Sequence, residues 1–134
     1  MMWDRIMELV TAEMLDDDLL AAIFGTSIRQ APTSGEMIVP VLEWTLIGDA
    51  EGELWVSMIV QFDFFLESPE DSRMVERRLR SLYHRDLQRS IGPFTMFTQY
   101  VDGTMLAVPD RANYSGRSIR FQMTSLREQY AGVL

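Results

Sequence analysis

Apolar and polar positions alternate most strictly in the segment Glu53-Leu-Trp-Val-Ser-Met-Ile-Val-Gln-Phe-Asp-Phe-Phe-Leu-Glu67. The spacing predicts one long strand, with Leu54, Val56, Met58, Val60, Phe62, Phe64 and Leu66 on one face, because successive side chains of a strand point to opposite sides. The other face, with Trp55, Ser57, Ile59, Gln61, Asp63, Phe65 and Glu67, is mixed rather than polar. Leaving Trp55, Ile59 and Phe65 in water would be a costly apolar exposure, so further chain or a partner is expected to cover them. Directly after the strand the period changes. Ser68 is a good N-cap, Pro69 suits the first helical position, and Asp71 completes a capping box. Val75, Leu79, Leu82 and Tyr83 then form a helical apolar strip that packs on the even strand face. Asp86 would fall on that strip, so the helix should end or bend between Tyr83 and Arg85. Arg73, Arg77, Arg80 and His84 lie on the opposite side of the helix. They make either a solvated face or an arginine ridge for an acidic neighbour.

The rest of the chain is arranged around this pair. Met2, Ile6, Leu9, Val10 and Met14 predict an amphipathic first helix. Asp16-Asp-Asp18 stops it and starts another, since aspartates suit a cap and a first turn. Leu19 to Phe24 forms the second helix, closed by Gly25. The composition of Thr26 to Gly35 predicts a loop. Met37 to Ile47 is a strand whose Pro40 points to an edge or to a start near Val41. Gly48 to Gly52 reads as a turn that pairs this strand back on the long one. Arg85 to Pro93 reads as a loop or short turn. Phe94 to Val101 is a strand followed by a turn signal at Asp102-Gly103, with Thr104 to Val108 either continuing it past a bulge or separate. After a loop from Pro109 to Gly116, Ile119, Phe121 and Met123 alternate with polar neighbours in a closing strand, and the tail begins at Leu126.

Composition narrows the chemistry. A chain of 134 residues fits one domain, taken as residues 1–134, with a core large enough to need no staples. There is no cysteine and one histidine, which excludes disulfides, thiolate ligands and multi-histidine metal sites. Neither a membrane span nor a signal peptide is legible, and the expectation is a soluble protein assembled inside the cell. The net charge of −8 argues against nucleic acid as the main partner, and no direct nucleic-acid specificity is expected. Its distribution is uneven: residues 1–67 hold thirteen acids against Arg5 and Arg29, and residues 68–134 hold ten arginines against seven acids. Such a split is either a solvated surface or a subunit whose acidic side meets the basic side of a neighbour. All twelve basic residues are arginine, which codon bias explains as readily as selection for forked ion pairs. The Asp16–Asp18 triplet lacks the alternating spacing and bidentate Glu of a calcium loop. His84 sits on an exposed helix face, and Asp49, Glu51 and Glu53 sit on a hairpin tip where water blunts acid/base work. The glycines form no phosphate loop. The expectation is no enzyme activity, no cofactor and no metal.

The opening helix followed by Asp18-Leu-Leu-Ala-Ala-Ile-Phe-Gly25, the long strand Trp55–Leu66 passing straight into Ser68-Pro-Glu-Asp71 and its helix, and the closing Gly116-Arg-Ser-Ile-Arg-Phe-Gln-Met-Thr124 after a loop with Tyr114 form a layout spanning residues 3 to 125. In that layout the chain resembles the tail terminator, or tail completion, proteins of long-tailed bacteriophages. The order of elements predicts an α+β domain, with a mainly antiparallel sheet of about four strands on one long helix, plus an N-terminal helix. The resemblance implies a homohexameric ring in the virion tail or neck, assembled in the host cytoplasm, that caps the tail tube protein, ends tube polymerisation and meets a head-completion or neck protein. Ring contacts join unlike patches, so opposite charges help closure. The candidate interface residues are Arg73, Arg77, Arg80, Trp55, Ile59, Phe65, Asp49, Glu51 and Glu53. Another neck or head-completion adaptor, or a small ligand-binding α+β domain, are the alternatives.

Overall fold

The structure is a computed structural model and describes residues 2–31, 39–84, 88–106 and 115–126. Helix α1 covers Met2–Asp16 and α2 covers Asp18–Phe24. The break between them is local chemistry: Asp17 adopts extended backbone and its carboxylate accepts the Leu20 amide at 3.2 Å, as an N-cap does. Gly25, at φ 59°, ends α2 and donates its amide to the Ala21 carbonyl. Strands β1 (Ile28–Gln30), β2 (Val41–Glu51) and β3 (Trp55–Leu66) follow, then α3 (Pro69–Tyr83), β4 (Arg89–Ile91), β5 (Phe94–Leu106) and β6 (Ser115–Leu126). Ser68 caps α3 by accepting the Asp71 amide, with Pro69 in the first turn, and His84 closes it.

The six strands form one sheet in the order β1-β2-β3-β6-β5-β4. β1 runs parallel to β2, and the other neighbours are antiparallel. The expected layout of about four mainly antiparallel strands on one long helix is therefore corrected: the fold is mostly a mixed six-stranded sheet, and three short helices share the layer beside it. Several element boundaries change as well. The stretch read as a loop after Gly25 contains β1, and the stretch read as a loop before Phe94 contains β4. Three residues carry too little alternation to identify a strand; β1 exists because Ile28, Arg29 and Gln30 pair with Leu42, Glu43 and Trp44. β6 begins at Ser115, inside the expected loop, and Leu126 is its buried last residue rather than the start of a tail. Leu54, assigned to the core by alternation, lies in the β2–β3 turn and is exposed. The Pro109, Asp86 and Tyr114 expectations lie outside the described residues.

The core sits between the helices and one face of the sheet. Ile6, Met7, Val10 and Met14 of α1, Leu20 and Phe24 of α2, and Val75, Leu79 and Tyr83 of α3 are buried there. They meet Leu42, Val60, Phe62, Phe64, Met96, Ile119 and Phe121 of the sheet. Aromatic rings organise its centre: Phe121 lies 5.8 Å from Phe62, 6.0 Å from Tyr83 and 5.8 Å from Tyr100 between centroids. Gly92, at φ 57°, takes the first central position of the two-residue β4–β5 loop, where a side chain would also strike Leu9.

Two turn signals coincide with β-bulges: the one at Gly48 is followed by more strand instead of a turn, and the one at Asp102-Gly103 takes the first of its two expected readings, the strand continuing past a bulge to Leu106. The β2–β3 register shifts between Leu46 and Gly48, leaving Ile47 as the extra residue. The β5–β6 register shifts between Tyr100 and Asp102, leaving Val101 as the extra residue. Both bulges fall on one row across the sheet, because Leu46 pairs with Val60, Val60 with Phe121, and Phe121 with Tyr100. A bulge increases local twist and reverses which face the following residues occupy. Beyond it, Gly48–Glu51 of β2 and Asp102–Leu106 of β5 form two arms at diagonally opposite corners of the sheet.

Candidate functional site

The structure places the nine candidate residues in three groups. Arg73, Arg77 and Arg80 of α3 are exposed on the helical side of the molecule. Arg80 stacks on Tyr100 of β5, 4.1 Å from the ring centroid, a cation–π contact. Next to Arg80 on the same flank, His84 accepts the Tyr100 backbone amide through Nδ1 at 3.0 Å. Glu76, between Arg73 and Arg80 on that flank, is bound to Arg117 of β6 at 3.1 Å. The α3 arginines therefore divide by role. Arg78, one residue from Arg77, points to α2 and bonds the Asp17 cap through Nε at 2.9 Å. That guanidinium holds the Asp17 carboxyl below its ordinary range despite partial burial, and Asp17 raises Arg78 in return.

Asp49, Glu51 and Glu53 form the second group, all exposed. Asp49 lies opposite Met58 and Glu51 opposite Val56. Val56 and Met58 belong to the face of β3 that packs on the helices, so Asp49 and Glu51 share the helical side with the arginine ridge. Without the extra Ile47 they would occupy the other face.

Trp55, Ile59 and Phe65 form the third group, on the face away from the helices. They are spread along β3 rather than gathered. Trp55 is 36 % exposed and its ring meets Phe97 of β5 at 5.5 Å, with Leu126 opposite Trp55 in the neighbouring strand. Phe65 lies across Gly116, leaving no room for a Cβ there. Ile59 and Phe65 are half-buried, so the expected cost of exposing this face falls mainly on the Trp55–Phe97 corner. Between these apolar ends, apart from Ile59, the face is polar. Ser57 and Thr124 hydroxyls share a hydrogen bond of 2.8 Å, Gln61 donates to Asp63 at 3.0 Å, and Arg120 donates to Gln61 at 3.2 Å and lies 3.7 Å from Asp102. Phe97 and Asp102 were absent from the sequence-based set. The alternation of Phe94–Val101 could have placed Phe97; Asp102 is placed by the bulge, which has no sequence signature separate from a turn.

No arrangement of catalytic type emerges among the described residues. Among the described residues, no group of three or more His, Asp and Glu is placed to hold a metal ion. The depression beside the β2 arm, lined by Gly48, Asp49, Ala50, Ser57, Met58, Ile59 and Gln122, is open and offers no converging polar set. The most perturbed side chain, Tyr83, is buried in the core; burial first, then the Glu13 carboxylate, hold its phenol protonated. Glu13 in turn is paired with Arg89 of β4, whose guanidinium also donates to the Leu82 carbonyl. This half-buried cluster ties α1, α3 and β4 together at the margin of the core. No described helix is long and apolar enough to cross a membrane.

No family model and no curated protein matches the chain. Among solved structures, a chain from the virion of a native gene transfer agent particle has a similar fold, with a TM-score of 0.64 over 87 % of this chain and 92 % of that one, at 13 % sequence identity. At that identity the shared property is the fold.

Proposed function

We propose that the chain is a structural virion subunit of the tail terminator type, which forms a ring on the end of the tail tube, stops its polymerisation and presents a surface to the head or neck. The observation that carries this is the fold it shares, nearly end to end, with a chain of a gene transfer agent virion. The surfaces support it in kind: among the described residues, the α3 arginines and the acids of the β2–β3 hairpin are presented in separate exposed groups. A ring of six copies follows from the tail terminator reading, with the tube protein on one side and a neck or head-completion protein on the other.

Purified chain mixed with growing tail tubes should yield tubes of limited length capped by rings in electron micrographs, with matching oligomers in mass photometry. Tubes of unchanged length without caps sink the proposal. Capture of portal-side neck proteins instead of tube protein moves the chain to the neck or head-completion class.

A further inference from the structure

The outer surface of the helical layer carries two open depressions that share a wall. One, of about 360 Å³, is lined by Asp16, Asp17, Asp18, Leu19 and Arg78; the other, of about 300 Å³, by Leu19, Met74, Arg77, Arg78 and Ser81. Leu19 of α2 and Arg78 of α3 form the wall. Helix geometry explains the lining. Met74, Arg77, Arg78 and Ser81 follow the i, i+3, i+4, i+7 rule, so they make one stripe of α3, on the side of that helix turned towards α2. Met74 is 43 % exposed and stands beside the half-buried Leu19.

The two depressions differ in sign. In the first, three carboxylates face one guanidinium. Arg78 is bonded to Asp17, so the charges of Asp16 and Asp18 are in excess. The second is lined by no acid, and Arg77 stands at its rim with Arg73 one turn before it. Asp16, Asp18, Arg73 and Arg77 enter no ion pair or side-chain hydrogen bond among the described residues. The acids of α3 do not cancel its arginines here: Glu76 is bonded to Arg117, and Glu70 and Asp71 sit in the first turn, where the helix dipole favours them. We propose that this surface is self-complementary and that free copies of the chain pair through it about a two-fold axis. Arg77 of each copy enters the acidic depression of the other, while Leu19 and Met74 meet their counterparts near the axis.

The order acid, apolar, base across the surface selects the occupant. A two-fold rotation about the apolar middle lays acid on base twice while using the same patch of both copies. A partner of one sign would match one depression and be repelled at the other. Asp17 serves the arrangement by engaging Arg78, which would otherwise neutralise Asp16 or Asp18 and erase the acidic side. Leu19 and Met74 supply little apolar area, so charge holds the pair and added salt weakens it. The pairing is a property of the free chain and goes beyond the ring, which it does not require.

Sedimentation of the free full-length chain over a range of concentration and salt tests the pairing, and a monomer–dimer equilibrium that weakens with salt is expected. Arg73→Glu with Arg77→Glu makes both sides of the surface acidic. Asp16→Arg with Asp18→Asn makes both basic, and a cation at the end of α1 suits its dipole. Each variant alone should pair at least about tenfold more weakly. An equimolar mixture of the two should pair as well as the wild type, and all four substitutions in one chain should restore the homodimer. Circular dichroism checks that each variant is folded. Because the chain has no cysteine, Met74→Cys treated with a short bis-maleimide should give a covalent dimer. Gln122→Cys, exposed on the face away from the helices, should not, and this comparison decides if a charge variant fails to fold. A wild type that stays monomeric throughout overturns the proposal. So do single-sign variants that keep the wild-type distribution, a mixture that pairs no better than its components, or Met74→Cys crosslinking no more than Gln122→Cys. Tube capping is read separately, so either reading can fall while the other stands.

Discussion

The two faces of β3 differ in what holds them. On the helical side, Phe62 packs with Tyr83 and Phe121 in a fully buried aromatic centre. On the other side of the same strand the contacts are polar: Ser57 bonds Thr124 and Gln61 bonds Arg120 across to β6, and Gln61 also bonds Asp63 along β3. The first face sets stability through burial, which scales with apolar area removed from water. The second contributes little energy, since exposed polar pairs trade protein partners for water. A domain held from one side does not depend on its other side for stability.

That contrast can be broken first at its dry end. Phe121→Ala removes the ring that touches Phe62, Tyr83 and Tyr100, and should destabilise the protein by about 3–5 kcal/mol in chemical denaturation. A loss below about 1 kcal/mol would mean that the aromatic centre does not hold the fold. At the margin of the core, Asp17→Ala removes the α2 cap and the partner of Arg78 together, with an expected loss of about 1–2 kcal/mol. Its pH signature is specific. Arg78 holds the Asp17 carboxyl below the ordinary 3.8, so the unfolded chain takes up the proton first. The stabilisation is complete above that value and disappears as pH falls through it towards the depressed one. Asp17→Asn should therefore flatten the acid limb of stability against pH; an unchanged limb assigns acid unfolding to other carboxylates. Smallest of all, Arg120→Gln on the polar face should change stability by less than about 0.5 kcal/mol. A larger loss would make the polar ladder a structural element and erase the difference between the faces.

How much of this was legible in the sequence depended on the range of the interactions. The Asp17 break, the Ser68-Pro69 start of α3 and the exposed Arg73, Arg77 and Arg80 follow from contacts within a few residues, and the chain order alone reveals them. β1 and β4 could not be found that way, because each is three residues long and owes its existence to pairing with β2 or β5. The Ile47 bulge was hidden for a related reason, and the one at Val101 was legible only as one of two alternatives. Gly48 and Asp102-Gly103 suit a turn and a bulge equally, and only the partner strand decides between them. Since the bulge at Ile47 determines which side Asp49 and Glu51 occupy, the sequence contained the charges of the candidate interface but not their placement relative to the arginines.

The strand order also dictates when these surfaces come into being. The centre of the sheet joins β3 to β6, pairing Trp55 with Leu126 and Ser57 with Thr124 across most of the described chain. During synthesis the β2–β3 hairpin and α3 emerge well before β6, so β3 waits with one edge unpaired, and Phe121 is missing from the aromatic centre. Closure of so long a loop is slow compared with hairpin formation. β5 acquires its bulged register only from β6, so the second arm is formed after the first. A nascent chain thus carries the β2 arm before the β5 arm, and the two coexist only in a molecule whose last described strand is already in place.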